Sequence, residues 1–180
     1  MRLMRTVAVI VACVLPLTAC GLLRGSNVVA TAPAAMQVSS VSFINGVLPH
    51  AYTCFSSHPV NPSLNWSGAP SGTKSVALVV DDSSAPITPN VYWVVFDISP
   101  ATSAILQGEL PPGARQARSS AGLAAYDAPC PSGTEHRYRF TVYALDTWLN
   151  LPQGTSLKSA WTAIAAATVG RGRVTVRALP

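Results

Sequence analysis

The run Ser75-Val76-Ala77-Leu78-Val79-Val80, closed by Asp81-Asp82, constrains the fold more than any other stretch of the chain. From Val76 onward it is apolar, mostly valine, and too short to stand as a helix. Such a run is a strand buried on both faces, so other elements must cover it from both sides. Residues 91–98 and 137–145 read as two further core strands, the second with Tyr138, Phe140, Val142 and Ala144 along one face.

The remaining segments fit around that centre. Residues 36–43 alternate, with Val41 and Phe43 on one side and Ser40 and Ser42 on the other, and Asn45-Gly46 follows as a turn signal. Residues 59–70, with their prolines and a lone Trp66, read as an irregular packed segment, and residues 108–125, with Pro111-Pro112-Gly113 and scattered arginines, as a surface loop. A helix is predicted after the cap Ser156, with Leu157, Trp161, Ile164, Ala165 and Thr168 on one stripe until Gly170 stops it. Val174 and Val176 then alternate with Arg173, Thr175 and Arg177 in a last short strand. No repeat is visible. With 15 prolines, the composition suits a loop-rich, mainly β domain with a minor helical component.

The first residues read as an address. Arg2 and Arg5 precede an apolar run over residues 7–17, and small residues lead to Cys20, so residues 1–19 are expected to be a secretory signal peptide. Leu17-Thr18-Ala19-Cys20 resembles the bacterial lipoprotein box, which implies acylation of Cys20 and a hold on the membrane of about 0.8 kcal/mol per buried CH₂. Residues 20–35 are expected to be a flexible tether, and residues 36–180 one domain on the extracytoplasmic side. The formal charge is +5, reduced when Arg2 and Arg5 leave with the signal, and no basic run is interleaved with aromatics, so nucleic acid is not an expected partner.

Cys13 falls in the signal and Cys20 carries the lipid, which leaves Cys54 and Cys130 as the thiols of the exported domain. In an oxidising compartment these are expected to pair. No CxxC occurs, and His50, His58 and His136 lack ligand-like spacing, so neither metal nor other cofactor is expected.

Polar side chains gather at strand ends, where sites on β scaffolds are usually built. Asp82 sits where the strand over residues 75–80 ends in a turn, either as a turn cap or as part of a site. His136 and Tyr138 share a strand face, and an imidazole and a phenol there can both donate to an oxyanion. Asp82 would repel an anion, so its expected role is to orient the imidazole and favour its charged form. The backbone around residues 129–133 can add amide donors. Ser83, Ser84 and Ser132 lie near His136, yet no GxSxG elbow surrounds them, and only Asp127 and Glu135 stand near for paired-carboxylate chemistry. No catalytic residue is therefore assigned, and the expectation is binding without catalysis.

Several motifs in order resemble the phosphatidylethanolamine-binding protein family, in its bacterial Raf kinase inhibitor-like branch. They are Tyr52-Thr53-Cys54, the stretch from Asn61-Pro62-Ser63-Leu64 to Lys74-Ser75, Val79-Val80-Asp81-Asp82-Ser83-Ser84-Ala85-Pro86, Trp93-Val94-Val95, Pro129-Cys130-Pro131-Ser132-Gly133, His136-Arg137-Tyr138-Arg139-Phe140 and Tyr143-Ala144-Leu145-Asp146. The resemblance implies two packed β sheets with short peripheral helices, a helix near the C-terminus, and a small anion-binding cavity. It also implies that Asp82, Pro129, His136 and Tyr138 are pocket residues. Two positions depart from the pattern: Ser84 stands for the second acid of the family's DPDAP turn, and Tyr92 for its first pocket histidine. A phenol can donate a hydrogen bond but attracts a dianion less than an imidazolium.

The expected ligand-binding set is thus Asp82, Ser84, Tyr92, Pro129, His136 and Tyr138. The expected function is a membrane-anchored lipoprotein that binds a small anionic or phosphorylated ligand, such as a lipid headgroup. The alternative is an interaction module that modulates or inhibits an exported enzyme such as a protease, with a degenerate anion pocket.

Overall fold

The structure is a computed structural model and describes residues 36–84 and 88–179. The signal peptide, Cys20 and the tether, with Ala85 and Pro86 of the turn, lie outside the described residues. Thr31–Pro180 forms a compact unit by itself.

The elements are β1 (Gln37–Ser39), β2 (Leu64–Ser67), β3 (Ser75–Asp82), β4 (Asn90–Ile98), β5 (Ala104–Ile105), β6 (Arg115–Gln116), β7 (His136–Leu145), α1 (Leu157–Ala167) and β8 (Thr168–Ala178), with short 3₁₀ turns at Ile44–Gly46 and His50–Tyr52. They form a 3-stranded sheet, β1-β2-β5, and a 5-stranded sheet, β6-β4-β3-β7-β8. Every ladder is antiparallel. The apolar run is the middle strand of the larger sheet, buried along its whole length. Val76, Leu78 and Val80 face a core shared with Leu64 and Trp66 of the smaller sheet. Ala77 and Val79 face the opposite way, into a second cluster with Ala160, Ile164 and Ala167 of α1. The fold is therefore mainly β, with the small sheet on one face of the large sheet and a helix on the other.

Four local readings change. The irregular segment around Trp66 contains β2, whose alternation buries Leu64 and Trp66. The proposed loop 108–125 contains β6, which pairs with β4 through Val95–Gln116 and Phe96–Arg115. The helix ends at Ala167, not at Gly170, and Thr168 at φ −71°, ψ 121° opens β8 directly. Its buried stripe is Ala160, Ile164 and Ala167, because small side chains let the helix lie close to the sheet, while Trp161 stays 47 % exposed and meets Tyr143 edge-on. The last strand is long because glycines admit its neighbours: a Cβ on Gly170 would stand 2.7 Å from Pro70, and one on Gly172 would stand 2.3 Å from the Met36 carbonyl oxygen.

Candidate functional site

The β3–β7 register sets Asp82 opposite Tyr138, and His136 lies two residues back along the same face. Asp82 is buried and uses both oxygens. One accepts the Ser84 amide at 2.7 Å, closing the turn, and the other lies 2.7 Å from His136 Nδ1. Asp82 therefore caps the turn and orients the imidazole at the same time. His136 Nε2 lies 3.3 Å from the Ser132 carbonyl oxygen. An imidazole with an acceptor at each nitrogen is best matched by its doubly protonated form. Its pKa is accordingly raised, chiefly by the hydrogen bond to Asp82, against the opposing effect of partial burial.

Tyr138 is the floor beneath it. The two rings stack at 6.0 Å and 10°, and Tyr138 is fully buried. Its hydroxyl has no hydrogen-bond partner of normal geometry among the described residues. Burial raises its pKa first, with Tyr92 and Asp82 adding to the effect, so it is a neutral O–H donor at physiological pH.

Tyr92 reaches the same space through a backbone irregularity. Val80 pairs with Trp93 and Asp81 with Val91, which leaves Tyr92 as the extra residue of a β-bulge. The bulge turns Tyr92 to the side of the sheet that Trp93 already faces, where it meets Tyr138 edge-on at 5.5 Å. Burial is the main cause of its raised pKa, and Asn90 opposes it.

A further tyrosine beside this group, Tyr126, is not revealed by any sequence pattern. Tyr126 donates to the Tyr52 carbonyl at 2.7 Å and stands edge-on to Trp93 at 5.5 Å. Its pKa is pushed up by burial and then by Tyr138, Tyr52 and Asp127. Its one sequence signal was adjacency to Asp127 and Pro129. Pro129 is buried and its carbonyl accepts the Cys54 amide at 3.0 Å. Next to it, Cys54 and Cys130 form a disulfide with a Cα–Cα distance of 5.2 Å. The segment of Pro129 is therefore stapled to the one that holds Tyr52.

The remaining candidates serve the backbone. Ser84 Oγ accepts the Arg137 amide at 2.8 Å, and Ser83 Oγ donates to the Arg137 carbonyl at 2.9 Å. Asp127 accepts from Ser119 Oγ at 2.9 Å, and its amide donates to the Tyr92 carbonyl. The structure thus brings Asp82, Tyr92, His136 and Tyr138 together, with Ser84 in the turn that Asp82 caps, while Pro129 is placed only beside the Cys54–Cys130 disulfide. Chemically, the group offers an imidazolium and two neutral phenols to a small oxyanion. No trio of His, Cys, Asp or Glu gathers to hold a metal among the described residues.

Residues 38–178 match the family described as Phosphatidylethanolamine-binding protein. The chain is 36% identical over 134 residues to a UPF0098 protein of Methanothermobacter thermautotrophicus, covering 72% of this chain and 88% of that one. It is 37% identical over 158 residues to a Mycobacterium tuberculosis protein named "Putative lipoprotein LppC", covering 84% and 78% respectively. Among solved structures it is similar to Escherichia coli YbcL, described as a member of the mammalian PEBP family, with a TM-score of 0.74, 27% identity, and 82% and 99% of the two chains covered. The Chlamydia trachomatis homologue CT736 superposes with a TM-score of 0.73 at 29% identity, covering 81% and 98%.

Proposed function

This chain belongs to the phosphatidylethanolamine-binding protein family, and from that premise we propose that its domain binds a small anionic or phosphorylated ligand, without catalysis, between His136, Tyr138 and Tyr92. The observation that carries the reading is the hydroxyl of fully buried Tyr138, which has no hydrogen-bond partner of normal geometry among the described residues, beneath an imidazole held by Asp82. A buried donor left unmade costs about 1–3 kcal/mol, and a ligand oxygen would recover that energy. The imidazolium supplies the charge, and the phenols supply neutral donors. The ligand would displace the long Ser132 contact to reach His136 Nε2.

Likeness to the lipoprotein relative supports an exported chain, acylated at Cys20 after removal of residues 1–19 and tethered through residues 20–35. A headgroup phosphate is then a ligand within reach. The test is a thermal-shift titration of residues 31–180 with inorganic phosphate, phosphoethanolamine and acetate. At a hundredfold its dissociation constant a ligand stabilises by about 2.7 kcal/mol. A shift that disappears in His136→Ala supports the pocket; a shift retained in that variant sinks it.

Tyr92 supports a second reading, a module that modulates or inhibits an exported enzyme, because a phenol there leaves one imidazolium to hold a dianion. Envelope pull-downs separate the two readings: a partner retained by His136→Ala does not use the pocket.

A further inference from the structure

Period-two alternation sends His136, Tyr138 and Phe140 toward the core shared with the small sheet, and the odd-numbered residues of β7 to the other face. On that face the β7–β8 register sets Arg137 beside Arg177, Arg139 beside Thr175, Thr141 beside Arg173 and Tyr143 beside Arg171. The ribbon therefore concentrates Arg137, Arg139, Arg171, Arg173 and Arg177 on one surface of a chain whose formal charge is only +5.

The acids that meet this surface are few. Asp81 is held in a two-point contact by Arg139, directly opposite it in the ladder. Glu135 lies 3.4 Å from Arg137 Nε, and the Arg137 side chain is still 67% exposed. Arg173 and Arg177 are exposed and form no salt bridge among the described residues. Arg173 donates through Nε to Thr141 Oγ1 at 2.8 Å and lies beside the Tyr143 side chain, contacts that orient the guanidinium along this face. At about 3.3 Å per residue, Arg171 to Arg177 spans about 20 Å. A shallow depression of about 310 Å³ lies at one end, lined by Arg137, Arg177, Thr175 and Glu135.

Two observations identify the occupant. Charge complementarity calls for phosphate, which guanidinium groups bind in a two-point fork. The chain also enters the domain at this edge: the Met36 amide donates to the Arg171 carbonyl at 3.2 Å, so the segment leading back to Cys20 joins beside the first arginine of the row. Nucleic acid fits less well, since Tyr143, the one aromatic among these paired positions, packs edge-on against Trp161 and is not free to stack on a base.

We propose that the arginine face of β7 and β8 docks the domain on an anionic phospholipid bilayer, with Arg137, Arg173 and Arg177 on lipid phosphates and the His136 end of β7 held at headgroup depth. The inference rests on the membrane-anchored reading, and it is independent of whether the pocket binds phosphate.

The test is vesicle flotation of residues 31–180, without the lipid anchor, on phosphatidylcholine alone and on phosphatidylcholine mixed with phosphatidylglycerol. Partition to the mixed vesicles should exceed partition to the neutral ones and fall as salt is raised. Each arginine at the surface is worth about fivefold, so Arg173→Gln with Arg177→Gln should weaken partition on the order of thirtyfold. Arg137→Gln with Arg177→Gln provides a second pair in case the first perturbs folding. Lys74→Gln with Lys158→Gln removes the same charge outside the β7–β8 ribbon and should change partition much less, and His136→Ala should cost less than the arginine pair. Equal loss in the lysine and arginine pairs would mean that net charge alone drives binding and would overturn the proposal. So would the absence of any preference for phosphatidylglycerol, or a loss in His136→Ala that matches the arginine pair. Failure of the phosphate thermal shift together with intact flotation would refute the pocket and leave this surface standing.

Discussion

Replacing Tyr138 with Phe should move stability and binding in opposite directions. The ring is fully buried and stacks on His136, and Phe retains both properties, so the substitution removes only the hydroxyl. That hydroxyl is unpartnered among the described residues, and an unmade buried hydrogen bond costs about 1–3 kcal/mol. Because the Tyr92 side chain approaches it, the low end applies, about 1 kcal/mol gained by the unliganded protein. For a domain of this size that is a rise of about 3 °C in thermal midpoint. The same hydroxyl would donate to a ligand anion, and losing one hydrogen bond to a charged group costs about 1.5–3 kcal/mol. Affinity for inorganic phosphate should therefore fall by about tenfold to a hundredfold. Differential scanning fluorimetry reads the first quantity and isothermal titration the second. A midpoint that falls by several degrees would show that the hydroxyl is bonded in the unliganded protein. An unchanged phosphate affinity would show that it does not face the ligand. Either result refutes the reasoning.

Three further outcomes follow from the geometry. His136 has a folded pKa raised above the usual imidazole value, so its contribution to stability is complete below the unfolded pKa of about 6.5 and is lost as pH rises through the higher folded value. The thermal midpoint and the affinity for sulfate, whose charge is constant there, should both decline across that window, and His136→Gln should flatten both curves. Replacing Cys54 and Cys130 by Ser opens a loop with a sequence separation of 76 and should cost up to about 4 kcal/mol in the chain-entropy account. Urea denaturation checks this, and a loss under about 1 kcal/mol would mean that other contacts restrain the unfolded chain as strongly. Gly172→Ala drives a methyl into the Met36 carbonyl and should destabilise by about 1–3 kcal/mol; an unchanged urea midpoint would contradict that packing.

Much of the site was legible in the chain itself. The apolar run from Val76 to Val80 required cover on both faces, and the helix and the small sheet provide it. Period two along one strand placed His136 and Tyr138 together, and the strand end placed Asp82 near a turn. These are consequences of local backbone geometry, which a single segment specifies by itself. Tyr92 could not be placed by the same rule, because counting from buried Trp93 puts it on the opposite face, and only the bulge against β3 reverses it. Tyr126 was hidden in a segment without periodicity, and its position depends on a hydrogen bond to Tyr52, far away in sequence. The helix stripe was misread around Trp161 because the closeness of helix to sheet, set by Ala160 and Ala167, decides which side is buried. The arginine surface shows the same division. Alternation is visible in each strand separately, but the β7–β8 register determines that the two rows share one face. Local geometry thus fixes the direction of each side chain along its own strand, whereas convergence of separate strands depends on pairing, bulges and packing distances that arise only when distant segments meet.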